Sequence, residues 1–137
     1  MPFRIWSKGQ RSISDMAILP SRGAIMIKED LWPIDATHAV VAIDEFGAIG
    51  VLPVTPTGRV AGSRAGMGRK APVPIDSCYT AHRNGRRVML SAHVFLRETQ
   101  APIGRWRLAG SEEGFLRFIA DGELDPEEAD EAAQDTL

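Results

Sequence analysis

The sequence has one cysteine, Cys78, among 137 residues. A single thiol excludes an internal disulfide framework and fits a reducing compartment, so the expected location is cytoplasmic. Long hydrophobic runs are also missing. No apolar stretch approaches the roughly 18 residues that a membrane-spanning helix needs, and the opening MPFRIWSKGQ lacks the continuous apolar core of a signal peptide. No membrane partner is expected. Residues for catalysis or metal binding are few and badly spaced. Cys78 and His82 fall four apart in a predicted strand, which separates them by about 13 Å. No second cysteine completes a zinc site with His82 or His93, and no Ser-His-Asp order or acidic triplet stands out. Gly62, Gly66 and Gly68 precede Arg69-Lys70, not the Lys-Ser/Thr of a phosphate-binding Walker loop. The chain therefore reads as a non-enzyme with no cofactor and no metal, with Cys78 as a small buried residue.

Against these absences, 44% hydrophobic and 25% charged residues are the ordinary composition of one globular domain. The net charge of −2 hides a strong segregation. Residues 54–110 hold ten basic side chains against Asp76 and Glu98, a local net of +8, whereas residues 111–137 set Arg117 against ten acids, a local net of −9.

Short apolar runs bracketed by turn residues predict hairpins. Residues 16–19 and 24–28 flank Pro20-Ser21-Arg22-Gly23, and HAVVAID and AIGVLPV flank Glu45-Phe46-Gly47. Residues 29–34 have room for one helical turn before Pro33 interferes. A third hairpin is expected where residues 75–82 and 86–90 flank Arg83-Asn84-Gly85, and residues 105–109 suggest one more strand. Two helices are expected as well: residues 92–98 capped by Ser91, and residues 111–120 capped by Ser111, with Glu112 and Glu113 in the first turn and Phe115, Phe118 and Ile119 on one face. Asp125-Pro126-Glu127-Glu128 repeats the capping logic and makes the acidic tail a helix candidate.

The expected fold is α+β: a small, mostly-β domain of hairpins with two or three short helices and an acidic C-terminal helical tail. It divides into an N-terminal hairpin module (1–54), a Gly/Arg-rich loop (55–73), a second hairpin with helices (74–120) and the tail (121–137). One internal similarity cuts across this division. The run AIMIKEDLW from Ala24 and the run RVMLSAHVF from Arg87 both read as a strand, a polar position and a short apolar helix, which suggests a duplicated unit as readily as ordinary α+β patterning.

The stretch GAIMIKEDL followed by HAVVAIDEFGAIGVLPV resembles the swapped-hairpin DNA-binding family typified by AbrB and MazE. Gly23, Ile25, Ile27 and Leu31 match its pattern, while Lys28 stands where the family has proline and Glu29 where it has a basic residue. The resemblance spans residues 16–54 and leaves the rest of the chain unexplained. It implies dimerisation and makes Arg11 and Arg22 candidate DNA contacts.

The basic middle suits phosphate, because arginine offers a planar fork of donors and a Gly-Arg loop can follow a groove. The candidate nucleic-acid-binding residues are Arg59, Arg64, Arg69 and Lys70 of the loop, Arg83, Arg86 and Arg87 of the Asn-Gly hairpin, and Arg105, Trp106 and Arg107, where an aromatic between arginines suits stacking on a base. A solvated basic face, and a buried Trp106 between two outward charges, are the plain alternatives. The expected function is a non-enzymatic, nucleic-acid-binding module, DNA or RNA, with another acidic macromolecule as the competing partner. The rival reading is a structural or adaptor subunit of a larger assembly, homo-oligomeric or mixed, joined through its basic and acidic segments.

Overall fold

Short apolar runs separated by turn residues set the architecture. A computed structural model of the chain describes residues 14–20, 23–61 and 74–123. Strand β1 (Met16–Ile18) pairs with β2 (Ile25–Lys28), and β3 (His38–Ile43) pairs with β4 (Ile49–Val54). One 3-10 turn, Glu29–Leu31, links β2 towards β3. A second, Ile75–Ser77, leads into β5 (Tyr79–Asn84), which pairs with β6 (Arg87–Leu90) around Gly85-Arg86. Helix α1 (His93–Thr99) then connects to the long hairpin of β7 (Gly104–Glu112) and β8 (Phe115–Gly122). All eight strands close into one antiparallel barrel in the order β1-β2-β6-β5-β3-β4-β8-β7.

This barrel corrects the expected α+β class with two or three helices. Among the described residues α1 is the one α-helix. Residues 111–120, expected to be a helix capped by Ser111, instead turn at Glu113 and Gly114, whose φ angles of 54° and 88° give the left-handed pair of a type I′ hairpin turn. The apolar residues Phe115, Leu116, Phe118 and Ile119 fit either period. Here β4 offers a partner strand, with Ile49 opposite Phe118 and Val51 opposite Leu116, so the extended form buries Phe118 completely. The helix after β6 does form, but Ala92 stands at its N-cap position and no side chain caps it. Residues 124–137, expected as an acidic helix, lie outside the described residues.

The order of the strands carries an internal symmetry. Replacing β1, β2, β3 and β4 by β5, β6, β7 and β8 returns the same set of neighbours. Strands β2 and β6 are neighbours across the two halves, as are β4 and β8, so residues 14–54 and 79–122 share one sheet. The similar runs noted in the sequence contain β2 and β6, which are equivalent under this symmetry. Ile25 faces Leu90 and Ile27 faces Val88 at their junction, and all four are buried in the main core.

That core fills the barrel with Met16, Ile18, Ile49, Val51, Trp106 and Phe118, and Ala92, Leu96 and Ala101 from α1 and its flanks join it. Both core indoles satisfy their N–H group internally, Trp32 on the Ala36 carbonyl and Trp106 on the Pro102 carbonyl, each at 3.0 Å. A smaller cluster lies apart from this core, where Leu52 and Val54 pack with Val40, Val60, Ile75, Cys78 and Phe115. Cys78 is half-buried there, not enclosed as expected; partial burial raises its thiol pKa. Pro53 can sit inside β4 because its position faces away from β3, where its carbonyl accepts from Ala61 N at 2.9 Å and no strand donor is needed.

Candidate nucleic-acid interface

The register locates the candidate arginines. His38 pairs with both Val54 and Thr80, so the end of β4, the start of β3 and the onward run of β5 to Asn84 share one end of the barrel. The Gly85-Arg86 tip and the turn after Val54 therefore lie at that end. In this second turn Thr55 N donates to the Arg59 carbonyl at 2.8 Å, Arg59 N donates to Thr55 Oγ1 at 3.2 Å, and Gly58 supplies φ 86°. Both Arg59 and Arg86 are exposed. Arg83 is exposed on the same hairpin and anchored lightly: Nη1 meets Glu29 Oε1 at 3.1 Å and Nη2 meets the Pro33 carbonyl at 3.3 Å. Such an exposed pair is worth at most ~1 kcal/mol, so a phosphate can compete for the guanidinium.

Other candidates are placed differently. Arg87 is only 2% exposed and Trp106 only 1%. A guanidinium withdrawn from solvent is held by the protein and cannot meet a phosphate, and an indole enclosed in the barrel cannot stack on a base. Both are corrections to the expected site. Their strands explain them: β6 is hydrogen-bonded on both sides, by β2 and β5, and β7 at Trp106 lies between β1 and β8. Arg105 is half-buried, with Nε donating to Ser14 Oγ at 3.0 Å, and Arg107 is exposed with Nε 3.8 Å from Asp121 Oδ1. Both belong to β7, away from the Gly85-Arg86 hairpin. Arg64, Arg69 and Lys70, like Arg11 and Arg22, lie outside the described residues.

Two concave surfaces escaped the sequence reading. A groove of about 220 Å³ crosses Ala42 and Gly50, with Glu112, Glu113, Asp44 and Arg117 at its sides. Phe115 leans over Gly50 so closely that a Cβ there would stand 3.1 Å from its ring. Asp44 organises the β3–β4 turn: its Oδ1 accepts from Phe46 N at 2.8 Å and Ala48 N at 2.9 Å, and Oδ2 lies 3.3 Å from Arg117 Nη2. The Ala48 N–H, with Phe46 N–H and Arg117, lowers the Asp44 pKa. A second hollow of about 370 Å³ lies between Phe46 and the Ala101-Pro102 and Ile119 region. Phe46 is 81% exposed and Ile43 is 41% exposed. The available signal was an aromatic residue at the centre of a turn, where a polar residue is usual.

Among the described residues no three His, Cys, Asp or Glu side chains converge as metal ligands do, and no helix is long and apolar enough to cross a membrane. No protein-family model, curated protein or solved structure matches the chain.

Proposed function

We propose that the protein binds nucleic acid without catalysis, through the barrel end that carries Arg59, Arg83 and Arg86. The observation that supports this reading most directly is the exposure of Arg83 and Arg86 on one β-hairpin, the shape that enters a major groove. The exposed Arg59 turn at the same end adds a third guanidinium, and the sequence continues from it into Arg64, Arg69 and Lys70. The resemblance of residues 16–54 to a DNA-binding family points the same way. Arg87 and Trp106 have no part in this interface.

The test is a titration of the full chain against mixed duplex and single-stranded nucleic acids at several salt concentrations. Binding through about five phosphates predicts a log-log salt slope near −4 to −5 on duplex DNA. No binding at ~50 mM salt would remove the reading. The rival, a subunit joined to its neighbours through the basic stretch 54–110 and the acidic stretch 111–137, rests on the charge segregation. It predicts self-association that weakens as salt rises, with no nucleic acid present.

A further inference from the structure

Arg83 is held by a part of the chain some fifty residues away. Its Nη1 donates to Glu29 Oε1 at 3.1 Å and its Nη2 to the Pro33 carbonyl at 3.3 Å. The 3-10 turn Glu29–Leu31 also reaches the hairpin tip through the backbone, where Glu29 N donates to the Arg86 carbonyl at 2.9 Å. Three bonds therefore join the β2–β3 connection to the β5–β6 hairpin. One acceptor alone holds an exposed side chain lightly, but two acceptors on different nitrogens fix the plane of the guanidinium.

Charge separates Arg83 from Arg59. Arg59 is exposed, and no carboxylate among the described residues pairs with it. Beside Arg83 the Glu29 carboxylate offsets the positive charge at 3.1 Å, and the exposed Asp30 and Asp35 lie on the same connection, Asp30 4.0 Å from Lys28 Nζ. A phosphate arriving at Arg83 would meet these carboxylates as well, and like charges a few ångströms apart repel. An uncharged acceptor meets no such penalty. The edge of guanine in the major groove is of that kind, since it presents the O6 and N7 acceptors side by side.

We propose that Arg83 reads a guanine edge in the major groove of duplex DNA, and that Glu29 is the positioning residue that holds it for that task. The inference rests on the nucleic-acid reading above and names the ligand class for one of its arginines. A guanidinium has five N–H donors. Glu29 and Pro33 use two of them, and the remaining three suffice for O6 and N7. Because the side chain is already oriented, less of its rotamer freedom is lost on binding. Arg59, with its charge intact, is left to meet phosphate.

The test is competition binding of the full chain to alternating dG-dC and dA-dT duplexes of equal length. The parent should prefer the dG-dC duplex about five-fold or more, the discrimination of one bidentate contact. A duplex carrying 7-deazaguanine, which lacks the N7 acceptor, should lose that advantage. Arg83→Lys keeps the charge without the planar fork, so it should abolish the preference. Glu29→Ala should bind both duplexes more tightly, because a negative charge is gone, yet with the preference reduced. Glu29→Gln, whose side-chain carbonyl still accepts from Nη1, should restore the preference. A parent that binds both duplexes equally overturns the inference, as does an Arg83→Lys variant that keeps the preference. A Glu29→Ala variant with the full preference overturns the role of Glu29. If Glu29→Ala does not fold, Arg83→Lys and the 7-deazaguanine duplex decide. A parent that binds neither duplex at ~50 mM salt removes the nucleic-acid reading itself, an outcome distinct from equal binding to both.

Discussion

Arg87 and Arg86 are adjacent in sequence and opposite in role, and their truncation separates support from recognition. Arg87 is 2% exposed, a guanidinium enclosed by the protein. Arg87→Ala removes two buried methylenes, about 0.8 kcal/mol each or ~1.6 kcal/mol together. It also removes the polar contacts of a buried guanidinium, ~1.5–3 kcal/mol. The sum is on the order of 4 kcal/mol. For a chain of this length the unfolding entropy is about 0.3 kcal/mol/K, so the melting temperature should fall by about 10–15 °C. Arg87→Met retains most of the stem and should recover about half of the loss. Arg86→Ala, at an exposed turn, should shift stability by less than about 0.5 kcal/mol. Circular dichroism melts of the three variants measure this, and mobility shifts well below the transition then compare affinities among folded proteins. Arg86→Ala should weaken nucleic-acid binding and Arg87→Ala should not. An Arg87→Ala protein that melts within ~2 °C of the parent but binds as poorly as Arg86→Ala would refute the structural role.

Two other perturbations probe the frame around the site. Gly104 holds φ 133°, and a Cβ there would collide with the Gly122 carbonyl oxygen, whereas Gly110 at φ 129° has nothing within 4 Å of its Cβ position. Gly104→Ala should therefore cost ~2–3 kcal/mol and Gly110→Ala only the ~1 kcal/mol of backbone strain, measured by denaturant unfolding. Asp44 has a folded-state pKa below its ordinary 3.8, chiefly because Ala48 N–H binds the carboxylate. A depressed value means that Asp44 stabilises the fold above its unfolded pKa, and that this contribution is lost as pH falls through the folded one. An NMR titration of the Asp44 carboxyl should give a midpoint under 3.8, and Asp44→Asn should remove that part of the acid dependence.

Local chemistry made most hairpins legible. Turn residues between short apolar runs placed β1 with β2, β3 with β4 and β5 with β6 close to their observed positions, and Gly47 and Gly85 take the positive φ that the latter two turns need. The runs from Ala24 and from Arg87 fall on β2 and β6, which the strand order makes equivalent. What the chain could not reveal locally was decided by neighbours distant in sequence. Phe115, Leu116, Phe118 and Ile119 suit a helix face or a strand equally, and only the presence of β4 alongside makes the strand the better burial. The same holds for the candidate site. A run of arginines states how much positive charge is present, not which side chains face water: Arg86 does, whereas Arg87, one residue on, is enclosed. The sequence by itself determined the turns, the strand period and the charge segregation, because each depends on a few adjacent residues. Closure of the barrel and the burial of Arg87 and Trp106 are tertiary outcomes, because each depends on which strand lies next to which.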